Sequence, residues 1–241
     1  MKIKEETFVS DVVAKSYNTA AVFSKYGIDF CCNGNRSIAK AIEKKGIPFA
    51  KLQADLESAL NAQRDSITFV QKFPIDVLSD YIVETHHSYV EKSISPLKQY
   101  LDKLCKVHGD RHPELFEVRE LFFASADALI MHMKKEELIL FPFFKKLAKL
   151  KKEGGAYEKP HFETVENPIA MMHHEHEVEG GRFRKIAEFT GNYTPPTDAC
   201  TTYRVTFSML KEFEEDLHKH IHLENNILFK GGIFLEQELS N

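Results

Sequence analysis

The sequence contains no tryptophan, and only four of its 241 residues are cysteine, two of them adjacent as Cys31 and Cys32. So few thiols do not make a disulfide framework for a chain of this size, which points to a reduced, cytoplasmic setting. No apolar run approaches the roughly 20 residues needed to span a bilayer. The N-terminus, MKIKEETFVS, puts charges where a signal peptide carries its apolar segment, which argues against export. The formal net charge of −4 comes with no local basic stripe, so nucleic acid is excluded as a partner, as is the membrane. Alternating apolar runs and two-residue hairpin signals are also missing, which excludes a β architecture.

What is present is helical periodicity, 19 phenylalanines and 12 histidines. The first ~65 residues form a small helical unit. SDVVAKSYNTAAVFSKYG predicts one helix, capped by Ser10-Asp11 and ended at Gly27. IDFCCNGN follows as a tight non-helical segment, then RSIAKAIEKKG as a second helix ending at Gly46. PFAKLQADLESALNAQ is a third, opened by Pro48. Periodicity lapses from Asp65 to Pro74, which divides the chain into domains at 1–66 and 75–232. The second domain carries four long helices, at about 75–105 with a kink expected at Pro96, 113–150, 168–189 and 199–229. The last of these is expected to stop at Gly231-Gly232. The fold class is all-α, an antiparallel four-helix bundle behind a small helical domain.

One string occurs twice: HMKKEELILF from His132 and HIHLENNILF from His220. Each reads His, three residues, Glu, two residues, Ile-Leu-Phe. Residues i and i+4 share a helix face, so His132 points with Glu136 and His220 with Glu224. Each copy has a histidine upstream at nearly the same spacing, His86 before His132 and His176 before His220. The second domain is thus a degenerate repeat of two helices. A lone His-x3-Glu is usually a solvated surface pair, but two copies in one apolar frame are not. Imidazoles and carboxylates facing a bundle interior are costly to bury unless something pairs with them.

Four imidazoles and two carboxylates are too many for one tetrahedral zinc and suit two ions, with Glu136 and Glu224 bridging. Nitrogen-rich ligation favours iron over magnesium or calcium, and manganese and zinc share the donor set. The excess positive charge favours an oxo or hydroxo bridge, and six ligands leave open positions for small molecules. The ferritin-type Glu-x-x-His order and the zincin His-Glu-x-x-His order are both absent.

At DFCCNG, HMKKEELILFP, HxHLENNILF and the Pro195–Thr202 segment PP-x-x-ACTT, the chain resembles the hemerythrin-like bundles. More narrowly, it resembles the di-iron iron–sulfur cluster repair family. The resemblance implies two non-haem irons per chain held by His86, His132, Glu136, His176, His220 and Glu224. In the local THHSYVEK, one register slip would exchange His87 for His86. The resemblance also implies a stress role, repair of clusters damaged by nitric oxide or oxidants through iron donation, and a homodimer. Damaged iron–sulfur proteins would be the partners, and nitric oxide and oxygen the small ligands. Alternatives of another class are nitric oxide reduction at the di-iron centre, which would make the chain an enzyme, and sensing of oxygen or nitric oxide. Oxygen-carrying hemerythrins carry a His-x3-His pair on the third helix; here Met172 and Gly180 flank His176 at four residues, so the site is more open.

The same resemblance draws attention to Cys31 and Cys32 as redox or delivery thiols. They open a helix, whose positive end should lower a thiol pKa. Cys105 and Cys200 read as packing residues. His108, His112, His161, His218 and His222 read as surface groups. His173, one turn before His176, reads as an additional ligand or a supporting group. Glu137 and Glu175, beside ligand positions, read as solvated carboxylates.

Overall fold

The computed structural model describes residues 2–61 and 69–240. Among them every regular element is a helix, and no helix is long and apolar enough to cross a membrane. The expected domain boundary at 65–74 begins among residues 62–68, outside the described residues.

The chain divides into two compact units. The first gathers Met1–Ser79, Phe144–Val165 and Ile221–Asn241, and the second Asp80–Phe143 and Glu166–His220.

In the first unit, the helix expected over 10–27 is two helices, α1 (Val9–Lys15) and α2 (Asn18–Lys25). Ser16 is extended between them, and its carbonyl accepts from both the Thr19 amide and the Thr19 hydroxyl, at 3.1 and 2.7 Å. Local side-chain bonding of this kind competes with helix continuation. The Ser10 cap does not form, because α1 begins at Val9 and buries Ser10 completely. Gly27 ends α2 at φ +62°, with Ile28 N–H bonded to the Phe23 carbonyl at 2.9 Å, a left-handed stop that a side chain would strain. α3 (Ile38–Ile42) is capped by Ser37, whose side chain accepts from Lys40 N–H at 3.3 Å. α4 (Phe49–Asn61) buries Leu52 and Leu56. Val9, Val12, Val13, Phe23, Ile28, Leu52 and Leu56 fill the core between these helices.

The long helices are built from successive segments. α5 (Ile75–Ile82) passes through a π-helical turn, Val83–His87, into α6 (Ser88–His108). α7 (Glu114–Lys135) passes through Glu136–Leu140 into α8 (Phe141–Glu153). α9 (Glu166–Phe189) has no such turn, and α10 (Thr201–Leu223) passes through Glu224–Leu228 into α11 (Phe229–Ser240). Pro96 lies inside α6, which continues through it as one helix.

α11 does not stop at Gly231-Gly232. The pair is there for close approach: a Cβ on Gly232 would overlap the Phe144 ring, and one on Gly231 would stand 2.8 Å from Ile75 Cγ2. Further along α11, buried Glu236 accepts from Tyr157 (2.9 Å), Thr164 (2.6 Å) and the Val165 amide (3.0 Å), tying the 154–165 connection to the helix.

In the second unit, α7 packs against both α6 and α9. Phe213 sits at its centre, edge-on to Phe122 at 5.4 Å and stacked with Phe183 at 5.5 Å. Each such pair adds about 0.5–1.5 kcal/mol beyond its buried area.

Candidate metal centre

The π-helical turns fall at the ligand positions. Val83–His87 ends on His86-His87, and the other two begin on Glu136 and Glu224, the carboxylates of the doubled string. Such turns insert one residue into a helix and are frequent at functional sites. Here the insertion puts both His86 and His87 in the interior, at 2% and 1% exposure.

The imidazoles converge. His132 Nε2 and His176 Nε2 are 3.0 Å apart, and His87 Nε2 and His220 Nε2 are 3.2 Å apart. Glu136 stands between the pairs, its Oε2 3.4 Å from His132 Nε2 and 3.4 Å from His87 Nε2. The ligand atoms of His87, Glu136, His220 and Glu224 all lie within 4.8 Å of one another, as do those of His132, Glu136, His176 and Glu224. Glu224 follows His220 by one turn of the continuing helix, and both carboxylates are fully buried.

His86, expected as a ligand, is in neither group, whereas the adjacent His87 is in the first. The π turn explains the difference, because one inserted residue shifts the register that a count along an α-helix assumes.

Carboxylates hold the far sides of the rings. His132 Nδ1 donates to Glu175 at 2.8 Å, and His87 Nδ1 donates to Glu137 at 2.9 Å. With Nδ1 as the donor, each Nε2 of a neutral ring presents its lone pair. A lone pair aimed at another nitrogen 3.0 or 3.2 Å away suits a cation between them. Orienting partners of this kind fix the tautomer of metal-binding histidines. The donor set, imidazole nitrogen with shared carboxylate, fits iron.

Glu137 and Glu175 are therefore working partners and not solvated carboxylates. The hydrogen bond from His132, helped by Lys135 against the cost of burial, holds Glu175 at about 2. Burial opposes ionisation of Glu137, but hydrogen bonds from Lys134 and His87 outweigh it and keep that carboxyl below its usual range. Sequence reading missed their role because nothing local distinguishes them from other helix glutamates. Beside His132 a cavity of about 300 Å³ opens, lined by Met131, Lys135, His174, Glu175 and Arg182.

The paired cysteines lie in the first unit, in a turn organised by Asp29. Its Oδ1 accepts from the amides of Cys31 (3.1 Å), Cys32 (3.0 Å) and Asn33 (3.3 Å). A Cβ on Gly34 would overlap the Phe30 carbonyl, so the end of DFCCNG also has a steric reason. The two sulfurs are 3.7 Å apart, and Asp29, Cys31 and Cys32 form a third group able to hold an ion. The expected lowered thiol pKa is not found. Hydrogen bonding to Cys32, burial, and the nearby Cys32 and Asp29 charges all push Cys31 well up, and α3 begins only at Ile38. The side chain of Asn225, the residue after Glu224, donates to the Cys31 carbonyl at 3.2 Å.

Two histidines read as surface groups are buried. His222 is fully enclosed by Tyr17 and Phe30, the side-chain amides of Gln71 and Asn226 bond its ring nitrogens at 2.8 and 2.9 Å, and burial lowers its pKa to about 3. His108 is 4% exposed, and its Nε2 lies 3.3 Å from Cys200, which is itself exposed. His173 is exposed.

Residues 79–230 match the Hemerythrin HHE cation binding domain, and residues 5–60 match a Domain of Unknown function (DUF542). The iron-sulfur cluster repair protein ScdA of Staphylococcus haemolyticus is 31% identical over 227 residues, covering 94% of this chain and 98% of that protein. The chain belongs to the hemerythrin-type iron–sulfur cluster repair family. The repair protein YtfE of Musicola paradisiaca is 32% identical over 213 residues, covering 88% of this chain and 90% of its own length. ScdA of Staphylococcus epidermidis is 30% identical over 229 residues. Family membership thus joins a cation-binding bundle to a paired-cysteine segment, in the order read from the sequence.

Proposed function

We propose that this chain stores two iron ions and donates them to damaged iron–sulfur proteins. His87, Glu136, His220 and Glu224 would hold one ion and His132, Glu136, His176 and Glu224 the other, and the excess positive charge would favour an oxo or hydroxo group beside them. The observation that carries the reading is the facing Nε2 pairs with Glu136 Oε2 between them. The chemistry supplied is that of a labile, redox-active iron pair, and the iron is also the cargo.

The chain's own residues divide the work. Glu137 and Glu175 keep His87 and His132 oriented by accepting the hydrogen bonds from Nδ1–H. Lys134 and Lys135 hold those carboxylates in their ionised form. The apolar wall of Leu140 and Phe141, with the Phe141 ring 5.8 Å from that of His87, limits water on that side. Asp29, Cys31 and Cys32 are a receiving station for departing iron. The raised Cys31 thiol suits a site that releases a proton on taking a metal, and does not suit a free thiolate nucleophile. A reduced cytoplasm is the setting, and homodimers are the expected assembly.

The test is to load the protein with iron, add a dehydratase whose cluster has been oxidised, and follow client activity and retained iron together. Recovery matched by iron loss supports donation, and recovery promoted equally by iron-free Glu136→Ala and Glu224→Ala variants sinks it. A second reading, reduction of nitric oxide to nitrous oxide, is favoured by the cavity beside His132. Catalytic nitrous oxide formation with an added reductant, both ions staying bound, would establish it.

A further inference from the structure

The second unit holds a cluster that the metal centre does not use. Cys200 is exposed, and its carbonyl accepts from Arg204 N–H at 3.1 Å at the start of α10. Against it lies His108, the last residue of α6 and 4% exposed, with its Nε2 3.3 Å from Cys200 Sγ. On the other side of the ring, Arg111 Nη2 donates to His108 Nδ1 at 3.4 Å. Buried Tyr203 stands edge-on to His108 at 5.3 Å and to His112 at 5.7 Å. α6 runs 21 residues from Ser88 to His108, about 30 Å at 1.5 Å per residue, so the cluster lies at the opposite end of that helix from the ligand turn.

A guanidinium has no acceptor, so the Arg111 contact makes Nδ1 the acceptor and leaves the proton of a neutral ring on Nε2. Nε2–H therefore donates to the sulfur. The sulfur also stands at the positive end of a 23-residue helix. The other titratable groups of the cluster engage one another. Asp198 is met by His112 Nε2 at 3.0 Å and by Arg111 Nη1 at 3.5 Å, and His112 Nδ1 faces Glu114 at 3.2 Å. An accessible sulfur with an N–H donor against it and a guanidinium behind the ring has the surroundings of a reactive thiol. A nucleophile paired with an imidazole that a third group orients is the arrangement of covalent chemistry. Of the other three cysteines, Cys31 and Cys105 are buried and Cys32 is half-buried. A metal site is one competing use, but the pair is in none of the ligand groups found among the described residues. A packing role accounts for the burial of His108 and not for an exposed sulfur at its Nε2.

We propose that Cys200, held by His108, is a thiol–disulfide exchange site whose substrates are small disulfides, the oxidised forms of low-molecular-weight thiols. The Cys200 thiol gives its proton to water, and its sulfur attacks one sulfur of the disulfide as the sulfur–sulfur bond breaks. A mixed disulfide forms on Cys200, and the departing half leaves as a thiolate and takes up a proton. Cys200 is oxidised, the departing sulfur is reduced, and an excess of small thiol runs the step backwards. The chain thereby carries a reversible modification site remote from the metal centre, and the inference does not depend on what that centre holds.

The experiment incubates the full chain with bis(2-hydroxyethyl) disulfide and follows the mixed disulfide at each cysteine by peptide mass spectrometry. A synthetic peptide of residues 195–204 in the same buffer has the same sequence around the cysteine and lacks His108, so it gives the rate of an exposed thiol alone. Cys200 should be modified before the other three cysteines and faster than the peptide, and added 2-mercaptoethanol should remove the modification. His108→Phe keeps an aromatic ring beside Tyr203 and should slow exchange at Cys200 about 10-fold or more, the effect of losing a hydrogen bond to a charged sulfur. Melting curves check folding. If that variant does not fold, Arg111→Met, at an exposed side chain, takes its place and should slow exchange in the same direction. A Cys200 rate no faster than the peptide's, a rate unchanged in the folded variant, or an adduct confined to Cys31 and Cys32 would overturn the proposal.

Discussion

Replacing Glu136 by glutamine keeps the shape of the side chain and removes the carboxylate shared by both ligand groups. Its Oε2 is 3.4 Å from a histidine on each side, so one substitution reaches both ions. A ligand that binds only the folded state stabilises it by about 2.7 kcal/mol when present at 100 times its dissociation constant. Two such ions contribute about 5.4 kcal/mol, which at ~2–4 °C per kcal/mol raises the melting temperature by about 11–22 °C. The variant should lose most of that rise. Its metal-free form should melt no lower than metal-free wild type, because glutamine removes a carboxylate that is costly to bury without its ion. The assay is calorimetry of both proteins with and without ferrous iron under anaerobic conditions, with iron counted on the same samples. A variant showing the full iron-dependent rise would refute the shared-carboxylate account.

Other consequences are as direct. Glu175→Gln takes the orienting carboxylate from His132, and iron affinity measured by chelator competition should fall about 10- to 100-fold with the fold unchanged; an unaltered affinity would make Glu175 a bystander. Gly232→Ala drives a methyl into the Phe144 ring and should cost about 1–3 kcal/mol in urea unfolding, whereas Gly231→Ala meets a single methyl, Ile75 Cγ2, at 2.8 Å and should cost less. Burial raises the phenols of Tyr89, Tyr157 and Tyr203 to about 12 each. A raised folded-state pKa contributes stability in full below the unfolded value of about 10, and that contribution is lost as pH rises through 12. Absorbance at 295 nm should therefore show late-titrating tyrosines, with stability falling over the same interval, and uniform titration near 10 would contradict it.

Much of this was legible in the sequence, and the exceptions have physical causes. The long helices follow from 3.6-residue periodicity, and the doubled His-x3-Glu string identifies His132, Glu136, His220 and Glu224, which the fold brings together. The choice between His86 and His87 was not legible, because a π turn adds a residue that no α-helical count includes. His222 reads as exposed when only its neighbours in sequence are considered, but Tyr17, Phe30 and Gln71 enclose it from far along the chain. The break at Ser16 depends on a hydroxyl competing for a carbonyl. The glycine pair at 231–232 looks like a stop signal, whereas its function is to let an aromatic ring approach the helix. Glu137 and Glu175 acquire meaning only from the rings they face.

The most direct measurement is diffraction from crystals of the iron-loaded protein at the iron absorption edge. The account predicts two anomalous peaks per chain, one among His87, Glu136, His220 and Glu224 and the other among His132, Glu136, His176 and Glu224. A single peak, or peaks away from Glu136, would contradict it.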